Sequence, residues 1–213
     1  IVDSKYIIVG SVKNNETKYI KNTNKDYSIM YISEFRNYPK ENFRSVAQKF
    51  IVDCLSDYCN YNNKKLCIAL SANRPEKKSR LNIDDELKFF NQKENKFHFE
   101  RISSFELANK SELCICLSSN LGVELIARKI KVLFLPILEL YDNSLKYPYF
   151  RDDNSPILFC GLDREVIFKK IDYLLSIDDN TWQNIIKDKS YNFTYDENNT
   201  ILKEHIDTTL KYN

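Results

Sequence analysis

The chain has 213 residues, 43% of them hydrophobic and 29% charged, and its 32 basic and 30 acidic side chains leave a formal net charge of +2. That is one domain's length with enough apolar content for a real core, and the balanced charge without a basic block excludes an electrostatic footprint for nucleic acid. No apolar run approaches the roughly 20 residues that cross a bilayer, so no integral membrane segment is expected.

The start of the chain, Ile1-Val2-Asp3-Ser4-Lys5, does not read as a signal peptide. Its lack of an initiator Met reads as a fragment or an excised domain. The six cysteines (Cys54, Cys59, Cys67, Cys114, Cys116 and Cys160) form no C-x-x-C pair, and only two histidines could join them. They read as small buried hydrophobes in a reducing compartment, and no metal is expected.

Strand-like and helix-like segments alternate along the chain. Residues 1–26 read as a connector with one short β-rich run at 5–10 and a polar stretch over 11–26. An apolar run follows at 27–33. Over 42–59, Phe43, Val46, Ala47, Phe50, Ile51 and Leu55 recur at helical spacing. Residues 65–71 read as a strand and 83–91 as a helix. The run 96–102 alternates with period two, and 103–110 is a short helix with Ser103 or Ser104 as its cap. A strand at 112–117, a helix at 120–129 and a strand at 131–136 come next. Beyond a polar, aromatic loop at 139–155 lie a short strand at 157–160 and helices at 163–176, 178–189 and 199–211. Such alternation implies βαβ units and a parallel sheet. The expected fold is an α/β, Rossmann-like, doubly wound sheet over 27–213 with a helical C-terminal tail.

In such sheets ligands bind at the carboxyl ends of the strands. The junction Leu117-Ser118-Ser119-Asn120-Leu121-Gly122-Val123-Glu124 ends a buried strand in two hydroxyls and opens a helix. A helix N-terminus favours an anion there. Gly122 would let a phosphate approach, and Glu124, a turn in, could accept hydrogen bonds from ribose hydroxyls. The same residues also read as an ordinary cap and an exposed first-turn acid. Two other junctions, Ser33-Glu34-Phe35-Arg36 and Ser71-Ala72-Asn73-Arg74, each carry one arginine aimed at the same sheet edge. Arginine suits phosphate or a sugar carboxylate. The candidate binding residues are therefore Ser118, Ser119, Asn120, Gly122, Glu124, Arg74, Arg36 and Ser33. The three glycines lie far apart, so there is no dinucleotide fingerprint and no P-loop. There is also no G-x-S-x-G elbow.

The run Ser118–Glu124, with Ala127-Arg128-Lys129 and the strand after it, resembles the Ser-Thr-Leu-Gly-x-Glu-Ala…Arg-Gly-Lys-Lys-Val element of bacterial surface-carbohydrate biosynthesis proteins and related transferases for Kdo-like sugars. Ile8-Val9-Gly10-Ser11-Val12-Lys13-Asn14-Asn15 is similar to that family's Ile-Gly-Ser-Phe-x-Asn-Asn segment, and Tyr31–Arg36 to its Phe-Ile-Ser-Gln-Phe-Arg. Residues 156–160 with Asp172-Tyr173-Leu174 and Trp182, and Tyr195-Asp196-Glu197-Asn198-Asn199-Thr200, resemble its closing motifs. The match runs over nearly the whole chain. It departs where the family's Thr stands at Ser119 or Asn120, where no Gly follows Arg128, and where the Gly of the closing motif is Asn198.

The resemblance implies the C-terminal, donor-binding half of a GT-B glycosyltransferase, moving a sugar from a nucleotide-sugar to a cell-surface glycan or glycolipid acceptor. Ser118, Ser119 and Gly122 would hold phosphate, Glu124 the ribose, and Arg74 and Arg36 the sugar or leaving group. The Kdo-transferase likeness leans towards a CMP-activated acidic sugar. By the same resemblance, an N-terminal half supplying the acceptor contacts and the catalytic base is expected to precede this chain, which is expected to be inactive alone. The nucleotide-sugar is substrate, and no cofactor is expected. The implied location is the cytoplasm, with peripheral attachment at the inner membrane left open. Two other readings remain: a nucleotide-sugar epimerase of GT-B architecture, and a domain that binds a sugar nucleotide or a partner without turnover.

Overall fold

The computed structural model describes residues 9–18, 24–36, 42–72, 82–91, 96–150, 154–187 and 194–211. Four strands, β1 (Tyr27–Ile32), β2 (Leu66–Ala69), β3 (Ser111–Cys116) and β4 (Val132–Phe134), form one sheet in the order β2-β1-β3-β4. Every pairing is parallel. A single parallel bridge adds His98 outside β2 at Cys67, and another adds Leu158 outside β4 at Phe134. With those two rungs counted, the sheet has the six-position order 3-2-1-4-5-6 of a Rossmann-like fold.

The strands are short but almost wholly buried, because helices cover both faces. Eight helices are present among the described residues: α1 (Val12–Glu16), α2 (Phe43–Tyr61), α3 (Ile83–Phe90), α4 (Ser104–Asn109), α5 (Asn120–Ala127), α6 (Arg164–Ser176), α7 (Asp179–Ile186) and α8 (Thr200–Lys211). Right-handed crossovers place α2, on the way from β1 to β2, and α5, on the way from β3 to β4, on opposite faces. The contacts agree. Tyr58 of α2 donates to Asp172 of α6 at 2.6 Å, while Phe105 of α4 lies under Arg128 at the end of α5. None of the helices is long and apolar enough to cross a membrane among the described residues.

Local chemistry sets the helix ends. Ser103 and Glu106 form a reciprocal capping box on α4. Asp163 caps α6 and Asp178 caps α7. The end of α5 is a Schellman motif: the N–H of Ile130 donates to Leu125 O at 3.0 Å and that of Lys129 to Ile126 O at 2.8 Å. Lys129 thereby takes φ +62°, a left-handed conformation that favours glycine. Asn198, the other position where the resembled family carries glycine, has φ +64°.

Some expectations shift. The polar stretch 11–26 is no plain connector, since it contains α1. Its buried residues are Asn14 and Asn15, so apolar periodicity could not reveal it. The runs 96–102 and 157–160 each make one bridge rather than a strand. The loop 139–155 is entered through a 3₁₀ turn, Ile137–Leu140, and contains a second, Asn143–Leu145. The β-rich run at 5–10 lies mostly outside the described residues.

Arg128 ties the two ends of the chain to the sheet. It is 2% exposed. Its guanidinium lies 4.5 Å from the ring centres of Phe105 and of Tyr195, one above the other in sequence by 90 residues of chain. It donates to Asn14 Oδ1 and O and to Thr17 O. Asn15 in turn donates to Val9 O and Asn199 Oδ1 and accepts from the Asp196 N–H. Gly10, at φ +70°, passes so close to Thr194 O that a Cβ would lie 1.9 Å from it.

Arg128→Met removes charge-assisted bonds and takes the guanidinium from both buried oxygens of Asn14, while Thr17 O keeps the Tyr195 hydroxyl. It is expected to lower unfolding free energy by about 3 kcal/mol, read by urea unfolding on the fluorescence of Trp182. Lys129→Gly relieves the left-handed backbone and is expected to raise stability by about 0.5 to 1 kcal/mol in the same assay. A neutral Arg128→Met would mean that the termini are held by something else.

Candidate functional site

The order of strands reverses between β1 and β3. From β1 the chain goes to β2 on one side, and from β3 it goes to β4 on the other. In open α/β sheets the ligand crevice lies at such a reversal, which here falls at Ser33-Glu34 and Leu117-Ser118. The start of α5 closes one wall. Its cap is Ser119, at φ −68° and ψ 133°, whose Oγ accepts the Leu121 N–H.

An anion already sits there. Glu34 Oε1 accepts the Ser118 N–H at 2.7 Å, and Oε2 accepts the Ser118 hydroxyl at 3.3 Å. Arg44, from the first turn of α2, meets the same Oε2 at 2.7 Å. The Glu34 N–H donates to Gln48 Oε1 at 2.8 Å, which fixes the backbone beneath the carboxylate. The Glu34 side chain is 12% exposed. The arrangement combines a backbone donor, a hydroxyl, a guanidinium and a helix N-terminus, all complementary to negative charge.

A second carboxylate organises the other side of β1. Glu86 of α3 is completely buried. It accepts from the Ser33 hydroxyl at 2.5 Å, from the Ser71 N–H at 2.8 Å and from the Ala72 N–H at 2.8 Å. The Ser71 hydroxyl donates to Ser33 O at 2.7 Å. Glu86 thus clamps the carboxyl ends of β1 and β2 together. Between the two acids lies Tyr31, fully buried, with its ring edge-on to Phe90. Burial, reinforced by the Glu34 carboxylate, pushes its phenol well above the ordinary range.

The sequence candidates fall into three groups. Ser118, Ser119 and Asn120 stand together at the start of α5, Asn120 exposed and the two serines half-buried. Glu124 is a turn further on, and its Oε1 accepts the Ser11 hydroxyl at 2.6 Å. Ser11 thus supplies the kind of hydroxyl expected there from a ribose. Gly122 and Ser33 point elsewhere. A Cβ on Gly122 would lie 2.7 Å from Phe134 Cε1 and 2.8 Å from Cys116 Sγ, so its smallness lets α5 lie on the sheet rather than admitting a phosphate. Its N–H is taken by Ser119 O. The Ser33 hydroxyl is buried against Glu86. Arg36 is exposed and donates to Phe35 O at 2.8 Å, and Arg74 lies outside the described residues.

Sequence reasoning missed Glu34, Arg44, Gln48 and Glu86. Glu34 stood in a junction singled out for its arginine instead. Glu86 looked like its exposed neighbours Asp84 and Asp85. Among the described residues no three His, Cys, Asp or Glu side chains gather as a metal site. Five of the six cysteines are buried, and burial pushes the Cys114 thiol up to about 12.

The family of O-antigen biosynthesis proteins matches residues 1–210. No curated protein matches the chain. Among solved structures, a protein of Listeria monocytogenes assigned as a UDP-N-acetylglucosamine 2-epimerase superposes with a TM-score of 0.53 at 11% identity, covering 96% of this chain and 54% of its own. The UDP-GlcNAc 2-epimerase of Methanocaldococcus jannaschii, solved with UDP-GlcNAc and UDP, superposes with a TM-score of 0.49 at 15% identity, covering 89% of this chain and 46% of its own. This chain spans about half the length of both.

Gly122→Ala drives a methyl into Phe134 and Cys116 and is expected to cost about 1 to 3 kcal/mol of stability, measured by urea unfolding. A variant of unchanged stability that had lost only ligand affinity would return Gly122 to a ligand-contacting role.

Proposed function

We propose that this chain, which belongs to the O-antigen biosynthesis protein family, binds a nucleotide-sugar at the start of α5 and serves as the donor half of a glycosyltransferase that builds a surface glycan. The observation that carries this is the Glu34 carboxylate on the Ser118 N–H and Arg44. The crevice at the strand-order reversal is built for an anion, and the diphosphate or monophosphate of a sugar nucleotide is the anion suited to that place in such a sheet. Ser118, Ser119 and Asn120 would face the phosphate. Glu124 would turn from Ser11 to a ribose hydroxyl. Arg36 and Arg74 would meet charge on the sugar or leaving group. Holding the leaving group while an acceptor hydroxyl attacks is an electrostatic task and needs no metal at these residues. The acceptor contacts and the catalytic base would come from a further domain, and the work would be done at the cytoplasmic side of the membrane.

The second reading is a nucleotide-sugar epimerase, favoured by the fold shared with the Listeria protein. The two differ in product. Transfer appears as sugar on an acceptor, whereas inversion at a carbon bearing hydrogen appears as solvent deuterium in the recovered nucleotide-sugar.

Calorimetry of the chain against CMP, UDP, GDP and their sugars is expected to give a saturable signal for one base. Ser119→Ala and Glu124→Ala should each weaken it about tenfold, the scale of one lost charge-assisted bond. A folded chain that binds none of these nucleotides would sink the donor-site reading.

A further inference from the structure

The carboxylate at the start of α5 belongs to the protein itself, and its contacts are those a phosphate would use. Glu34 takes the Ser118 N–H at 2.7 Å, the Ser118 hydroxyl at 3.3 Å and Arg44 at 2.7 Å. A phosphate entering this crevice and the Glu34 carboxylate cannot share those donors.

Tyr31 supplies a second, independent observation. Its hydroxyl is completely buried and has no hydrogen-bond partner among the described residues. The charged groups around it are Glu34, Arg44 and Glu86. Glu86 is committed to Ser33, Ser71 and Ala72. A buried donor without an acceptor is costly. An oxygen placed beside it would relieve that cost, and Glu34, whose charge reaches Tyr31, is the carboxylate on this side of β1 not held by Ser33, Ser71 and Ala72.

We propose that Glu34 is an internal stand-in for a ligand's phosphate: it fills the anion seat of the free protein, yields it to a phosphate ester together with Arg44, and makes the seat selective for phosphate over carboxylate. This rests on the donor-site reading above. A tethered competitor acts at high effective concentration. A ligand therefore sees its intrinsic affinity reduced by the fraction of time the seat is open. A free carboxylate offers the seat nothing that Glu34 does not. A phosphate brings more charge and a third acceptor oxygen, and it can win. If Glu34 is seated about nine-tenths of the time, the reduction is about tenfold.

The test is a calorimetric titration of the full chain with inorganic pyrophosphate, and separately with acetate. Wild type, Glu34→Ala, Glu34→Gln and the double variant Glu34→Ala/Arg44→Ala are compared, each first checked by thermal unfolding. Glu34→Ala is expected to bind pyrophosphate about tenfold more tightly than wild type and to accept acetate, which wild type rejects. Glu34→Gln keeps the shape without the charge and should fall between them. Loss of Arg44 from the Glu34→Ala chain should reverse the gain. Should Glu34→Ala fail to fold, Glu34→Gln carries the same comparison. Equal or weaker pyrophosphate binding by the folded Glu34 variants overturns the proposal. If that happens while wild type binds a nucleotide, only the stand-in fails and the donor site remains. If neither wild type nor the variants bind any nucleotide or pyrophosphate, both readings fall together.

Discussion

In a parallel sheet every crossover turns the same way, so a chain that lays strands on both sides of its first one must part its loops at that strand. Here the parting lies between β1 and β3. Everything of chemical interest follows from it. The crevice exists because the connections leave in opposite directions. The start of α5 faces it because α5 is the first helix on the far side of the reversal. Glu34, just past β1, comes within reach of Ser118, just past β3, because Tyr31 and Ile115 are register neighbours.

The reversal also explains why the ends of the chain are fastened as they are. Helix α5 must lie flat on β3 and β4, which Gly122 permits, and must stop sharply, which Lys129 achieves in a left-handed turn. At that stop Arg128 is buried, and a buried guanidinium has to find oxygen acceptors and aromatic faces. It finds them in Asn14, Thr17, Phe105 and Tyr195. The segment around α1 and the one around Asn199 are thus drawn to the same place. Glu124, one turn back along α5, then meets Ser11. The fastening of the N-terminal segment and the candidate site thus share one helix.

How much of this could be read beforehand depends on what each element is made of. The four strands of the sheet were legible because they are apolar on both faces, and α2 because Ala47, Ile51 and Leu55 recur with helical period. Helix α1 was not, since amides and not hydrocarbons bury it. The outer runs at 96–102 and 157–160 carried a strand's pattern, but each has one neighbour to bond with and manages one bridge. At the site, Ser118, Ser119 and Asn120 were legible from the strand-to-helix junction alone. Glu34 and Glu86 were not. An acid beside a strand end looks the same in sequence whether it faces water, a neighbouring loop's N–H or a buried serine. Only the pairing of strands far apart in the chain decides among these.

Those two acids divide the end of β1 between unequal partners. Towards β2, Glu86 binds two backbone N–H groups and one hydroxyl from a position with no solvent. Exchanging those bonds for water would require opening the core. Towards β3, Glu34 holds a single N–H, a long hydroxyl contact and an arginine that is itself 27% exposed. That carboxylate lies beyond the last pairing of β1 with β3, so no strand pairing rests on it. The β1–β2 side of the sheet edge is therefore the firmly held side and the β1–β3 side the lightly held one. The lightly held side falls at the reversal of strand order, where the proposed exchange of Glu34 for a phosphate would leave every strand pairing intact.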